Sequence, residues 1–163
     1  VDGPMLPRFG MQMQVPASME YITYYGRGPV ENYADRKAAA DLGIYQQTVT
    51  EQFYSYIRPQ ENGNKCDVRW WQLTEKGGRG LDLRGDTPLS VSALHYTVDQ
   101  FDDGDGKDNR HSELITPADC TNWCIDKVQM GLGCVNSWGA TARPEYLLLL
   151  GDYEYTFILR PLR

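Results

Sequence analysis

The chain has 163 residues, 41% of them hydrophobic and 23% charged, a length that suits one domain with a core of its own. Its 16 basic residues stand against 22 acidic ones, and this acidic balance offers no field for a phosphate backbone, so nucleic-acid binding is not expected. The longest apolar run, Tyr146 to Leu150, falls far short of the roughly 20 residues of a membrane span, and the polar N-terminus does not read as a signal peptide.

In chain order, Met11 to Val15 alternates apolar and polar residues, as a half-buried strand does. Glu20 to Tyr25 is β-branched and aromatic and is closed by Gly26-Arg-Gly-Pro29. Asp35 to Leu42 is the one stretch with helix-forming composition. Ile44 to Thr50, Val68 to Thr74, Leu81 to Arg84, Ser90 to Thr97, Trp123 to Gln129 and Tyr153 to Arg160 read as further strands. Val98 to Asp102 can form a turn of helix. Turn chemistry marks Glu61 to Asn64, Lys76 to Gly78, Arg84 to Asp86 and Gly151-Asp152. Many short strands at this spacing predict an all-β antiparallel sandwich or barrel in one unit, residues 1–163.

Local chemistry is sparse. The acidic stretch Asp102 to Asp108 fails the EF-hand register: with Gly106 at position 6, Phe101 and Ser112 take positions 1 and 12, where acidic groups belong. Cys120-x3-Cys124 with Cys134 resembles zinc-ligand spacing but lacks a second pair, so Cys66, Cys120, Cys124 and Cys134 read as free thiols, with a lean toward a reducing compartment. There is no Gly-x-Ser-x-Gly elbow, and Gly26-Arg-Gly28 runs into Pro29 instead of a helix with free N–H groups. What remains is aromatic. Trp70 and Trp71 are neighbours in a strand pattern, so one faces the core and the other a partner or solvent. Trp123 and Trp138 flank a glycine-rich turn, and an indole face suits the C–H patch of a sugar.

Five ordered blocks carry a resemblance. They are Leu6-Pro-Arg-Phe-Gly10, then Tyr25 to Lys37 (Tyr-Gly-Arg-Gly-Pro-Val-Glu-Asn-Tyr-Ala-Asp-Arg-Lys), then Tyr56 to Asn64 with Asp67-Val-Arg-Trp70. Ser92-Ala-Leu-His-Tyr96 follows, and Ile125 to Gly133 with Asn136-Ser-Trp138 closes the series. Together they resemble the C-terminal domain of family 2 glycoside hydrolases, the large β-galactosidases.

The resemblance implies an antiparallel supersandwich of the galactose mutarotase type, here a partial one lacking N-terminal strands. It implies that the retaining hydrolysis of terminal β-D-galactose is done by two glutamates of a catalytic barrel outside this chain, with the barrel and the other domains as partners. It places magnesium and sodium mainly on that barrel and no cofactor on this chain. Open strand edges make a homo-oligomer a further expectation. Glu31 and Glu61 are read as turn-fixing, hydrogen-bonding groups. In relatives an aromatic residue three positions before the Ile of the Ile-Asp block stacks on the sugar. Here that slot is Asn122, and Trp123 stands one position later. A regular strand would reverse the face between the two, and a bulge could restore it. Trp123 is thus the expected sugar contact, with Asn122 as the hydrogen-bonding alternative. A free-standing carbohydrate-binding module and a purely structural or oligomerisation domain are the rival readings.

Overall fold

Alternation in the sequence becomes seven antiparallel strands in the computed structural model, which describes residues 4–57, 60–101, 111–133, 136 and 139–163. The strands are β1 (Arg8–Pro16), β2 (Tyr21–Gly28), β3 (Asp41–Thr48), β4 (Lys65–Thr74), β5 (Gly80–Leu94), β6 (Cys120–Gln129) and β7 (Phe157–Leu162). Two single-turn helices, α1 (Val49–Gln52) and α2 (Val98–Phe101), interrupt them. Thr48 caps α1 in a capping box with Glu51, whose amide donates to Thr48 Oγ1 while its carboxylate accepts from Thr48 N–H. The expected all-β antiparallel architecture is present. No helix among the described residues is long and apolar enough to cross a membrane.

The strands follow the order β1-β6-β5-β4-β2-β3, and β5 organises them. One edge of this 15-residue strand pairs with β4; the other takes β7 along Gly80–Gly85 and β6 along Ser90–Leu94. Arg84-Gly-Asp86, expected as a turn, lies within β5: Arg84 pairs with Trp70 on one edge and Ile158 on the other, and the irregularity the motif encodes survives as a break in the β4 pairing between Arg84 and Leu89.

Asp35 to Leu42 is not helical. Tyr33 and Arg36 exchange backbone hydrogen bonds in a tight turn, and Asp41 already opens β3 opposite Gly28. The Asp35 carboxylate accepts the amides of Leu132 and Gly133 at 3.1 and 2.8 Å, so tertiary bonds override a modest helical preference. The acidic stretch after Phe101, Cys134 and Trp138 lie outside the described residues.

Period-2 alternation separates two faces. On the inner face, Tyr45, Tyr24, Trp71, Leu83 and Leu159 form a row across five strands, with Tyr24 and Trp71 stacked at 4.9 Å. Val15, Val91, Ala93, Trp123 and Ile125 join it in one apolar core. Full burial of each large side chain stabilises by about 1.5–3 kcal/mol. The adjoining outer row is Ile44, Tyr25, Trp70, Arg84 and Ile158. Trp70 and Trp71 thus divide between surface and core as strand alternation requires.

Candidate functional site

The β1 sequence Met-Gln-Met-Gln explains which face of β6 carries polar chemistry. Met11 and Met13 pair with Ile125 and Trp123 and pack against the core, while Gln12 and Gln14 pair with Cys124 and Asn122 on the opposite face. Ser90 and Ser92 of β5 line up with Asp126 and Cys124. The result is a polar face spanning three strands, buried at Ser90, Ser92, Asn122 and Asp126 of β5 and β6 and exposed at Gln12 and Gln14 of β1.

The sequence blocks interlock through a few charged and amide side chains. Arg8 forks between strand and loop: one nitrogen meets Asp126 Oδ2 at 3.1 Å and another meets the Glu61 carboxylate. Burial alone would lower the Arg8 pKa, but Glu61 and Asp126 raise it well above its ordinary value. Burial is also the main force on Asp126, pushing it up to about 6 against the opposing pull of Arg8 and with the help of Glu61. Glu31 accepts from four donors: Arg36 at 2.7 Å, Tyr56, the Gly63 amide at 2.8 Å and Tyr33 at 3.2 Å. Asn32 and Asn64 link the same two loops, with Asn64 Nδ2 donating to Asn32 O and Asn32 Oδ1 accepting the Cys66 amide, both at 2.8 Å. Ser90 donates to Asn64 Oδ1 at 2.9 Å and ties the loop to the sheet. Glu31 therefore makes the turn-fixing hydrogen bonds expected of it, while Glu61 is a hydrogen-bonding group that ties its loop to Arg8 of β1.

Close approach explains two glycines in these blocks. A Cβ on Gly10 would lie 2.1 Å from Asp126 Oδ1 and 2.5 Å from its Cα. Gly63 adopts φ of +70°, a left-handed conformation that favours glycine.

Asn122 and Trp123 fall on opposite faces. Pairing of β1 with β6 runs in register from Pro16↔Cys120 to Gly10↔Asp126, and the shift comes only between Phe9 and Gly10, beyond both residues. No bulge turns Trp123 outward. Its indole lies in the core with 0% exposure, so in this chain it has no surface to offer a sugar. Asn122 is also buried, at 3% exposure, but its side chain borders a crevice of about 20 Å³ with Arg8, Glu61, Asn62 and Tyr96, room for no more than a single hydroxyl. Its Oδ1 accepts from Gln12 Nε2 at 2.7 Å, whereas its Nδ2 meets only the Cys124 sulfur at 3.8 Å. One amide hydrogen is left for another acceptor. The alternation of methionine and glutamine in β1 was the signal that assigns this face. The Arg8–Asp126–Glu61 fork joins residues far apart in the chain and had no signature beyond membership of the blocks.

Among the described residues, no group of three or more His, Cys, Asp or Glu side chains could hold a metal ion. The buried carboxylate of Asp126 is engaged by Arg8, and that of Glu31 is filled by protein donors. These groups do not fit the magnesium or sodium that the resemblance implies for the full enzyme. Cys66, Cys120 and Cys124 are free thiols, and burial pushes Cys66 and Cys124 up to about 11, which keeps both protonated.

Known proteins resemble this chain over nearly its whole length. The profile of the β-galactosidase small chain matches residues 1–159. The chain belongs to that family. It is 38% identical over 160 residues to a β-galactosidase of Priestia megaterium, an alignment covering 98% of this chain and 15% of that protein. A β-galactosidase of Lactobacillus delbrueckii subsp. bulgaricus is 40% identical over 149 residues, 90% of this chain and 14% of that protein. One of Vibrio cholerae is 35% identical over 159 residues, again covering 98% and 14%. This small-chain member thus spans about 15% of the length of these relatives.

Proposed function

We propose that this chain is the C-terminal part of a β-galactosidase that hydrolyses terminal non-reducing β-D-galactose residues, and that it shapes the sugar site without supplying the catalytic carboxylates. The observation that carries the reading is convergence: motif loops distant in sequence meet through Arg8, Glu31, Asn32 and Asn64 around one face of β6. Such a fixed polar wall suits a domain that orients substrate, because catalysis gains from positioning only when the positioning groups do not move.

In this reading the retaining chemistry needs one carboxyl to protonate the leaving oxygen and another to attack the anomeric carbon, and both come from the catalytic barrel. This chain's part is narrower. Asn122 donates its remaining amide hydrogen to a sugar hydroxyl, while Gln12 holds its oxygen and fixes the amide plane. Trp123 supports Asn122 from the core side of the same strand. The outer row supports packing against the rest of the enzyme, since Ile44 is 66% exposed and Ile158 49% exposed on the face that carries Trp70. Apolar side chains exposed in one row, with Arg84 among them, suit an interface with a partner domain.

A chromogenic β-galactoside tests the reading. The chain alone is expected to give no turnover above a buffer blank, and robust turnover by the pure chain would overturn it. In the full protein, Asn122→Ala is expected to raise KM for the galactoside about tenfold, the loss that follows from one unpaired polar contact at a sugar hydroxyl.

A further inference from the structure

A second feature lies outside that reading: a cleft of about 420 Å³ beside α1, within the roughly 300–1,000 Å³ of small-molecule sites. Lys65 lines it from the start of β4, and only 2% of this lysine is exposed. Its ammonium donates to Gln52 Oε1 at 2.7 Å and to Gly63 O at 3.2 Å, which accounts for two of its three hydrogens. Gln52 in turn donates to Gln47 Oε1 at 2.8 Å, so the Gln47 amide nitrogen keeps hydrogens of its own to offer. Burial lowers the Lys65 pKa to about 8 although Glu31 pulls it upward, so the group still donates at neutral pH.

The nearest carboxylate cannot be the recipient. Glu31 already accepts from Arg36, Tyr56, Tyr33 and the Gly63 amide. A buried lysine hydrogen without a partner is costly, and it becomes favourable when a ligand supplies the acceptor. The lining also holds aromatic rings: Tyr54, 58% exposed, leans on Tyr56 with ring centroids 4.6 Å apart. Formal charge at the cleft is balanced, with Lys65 and Arg36 against Glu31 and Glu51. Balanced charge disfavours an anion or a cation, whereas ammonium and amide donors together with tyrosine rings in one lining suit a polyhydroxylated ring.

We propose that this cleft binds a neutral hexose, with Lys65 and Gln47 donating to its hydroxyls and the C–H face of the sugar lying on Tyr54. The site stands on its own chemistry and does not depend on Asn122 or on the role of the chain in hydrolysis.

The test uses the full protein with D-galactose and D-glucose, read by amide hydrogen exchange. Either sugar should give saturable protection of the segment 47–57, and both Tyr54→Ala and Lys65→Met should weaken it at least tenfold. Asn122→Ala should leave it unchanged. Absence of protection at high millimolar concentrations of both sugars overturns the proposal, as does binding indifferent to Tyr54→Ala. Inorganic phosphate competing as well as sugar would make this an anion site and would also overturn it. Tyr54 is an exposed position, so its variant carries the test even if Lys65→Met fails to fold. Galactoside turnover is measured separately, so failure here and failure of the β-galactosidase reading give different results.

Discussion

Arg8→Met probes the fork that joins strand to loop. Asp126 has an ordinary pKa of 3.8 and lies at about 6 in the fold, raised chiefly by burial, restrained by Arg8 and raised further by Glu61. An acid whose folded pKa is raised stabilises the fold fully below pH 3.8, and that contribution is lost as pH climbs through about 6. The interval corresponds to about 3 kcal/mol at about 1.4 kcal/mol per pH unit. Above pH 6 the native carboxylate is ionised beside Arg8, and the decline stops. Without Arg8 the carboxyl keeps its proton to higher pH, so the decline continues at the same slope. The stability gap between the two proteins should therefore be nearly constant below pH 6 and widen by about 1.4 kcal/mol per unit toward pH 8. Urea unfolding at four pH values from 5 to 8, with hydrogen exchange of β1 and β6 amides as the local readout, measures it. Adding Asp126→Asn should remove the widening. Parallel stability curves across that range would refute the assignment of Asp126 as the titrating partner.

Trp123→Ala is expected to destabilise by about 3–5 kcal/mol, because it empties a fully buried core position, and the cost should appear in thermal unfolding. Asn122→Ala should change galactoside KM and cost only about 1–2 kcal/mol for its lost bond to Gln12, so the pair separates support from contact. Gly10→Ala drives a methyl group into Asp126 and should lower the unfolding free energy by at least about 2 kcal/mol in urea titration, whereas Gly77→Ala, with no atom within 4 Å, should be close to neutral.

Strand positions were legible because one face of each strand is buried, and burial imposes a period of two. The Trp70-Trp71 pair and the Met-Gln repeat of β1 each divide between the faces on that rule alone. Asp35 to Leu42 misled because composition reports local preference, whereas Asp35 is committed to amides nearly a hundred residues away. Arg84-Gly-Asp86 misled only in part, since β4 and β7 both pair with Arg84 and keep it in the strand, while the break in the β4 pairing falls on the residues that follow it. Lys65 gave no warning at all. A lysine opening a strand ordinarily reads as surface, and only the packing of α1 and the loop above it reveals a buried charge.

The pairing of the first strand has a consequence for biosynthesis. Among the described strands β1 pairs with β6 alone, and Gln12 and its partner Asn122 are 110 residues apart in the chain. As the polypeptide emerges from the ribosome, β2, β3, β4 and β5 can join in turn, while β1 waits for a partner that is still to be synthesised. Throughout that interval Met11 and Met13 lack their core and both edges of β1 are open to foreign strands. Glutamines at alternate positions keep one side of this waiting strand polar, and synthesis of β6 is the event that ends its exposure.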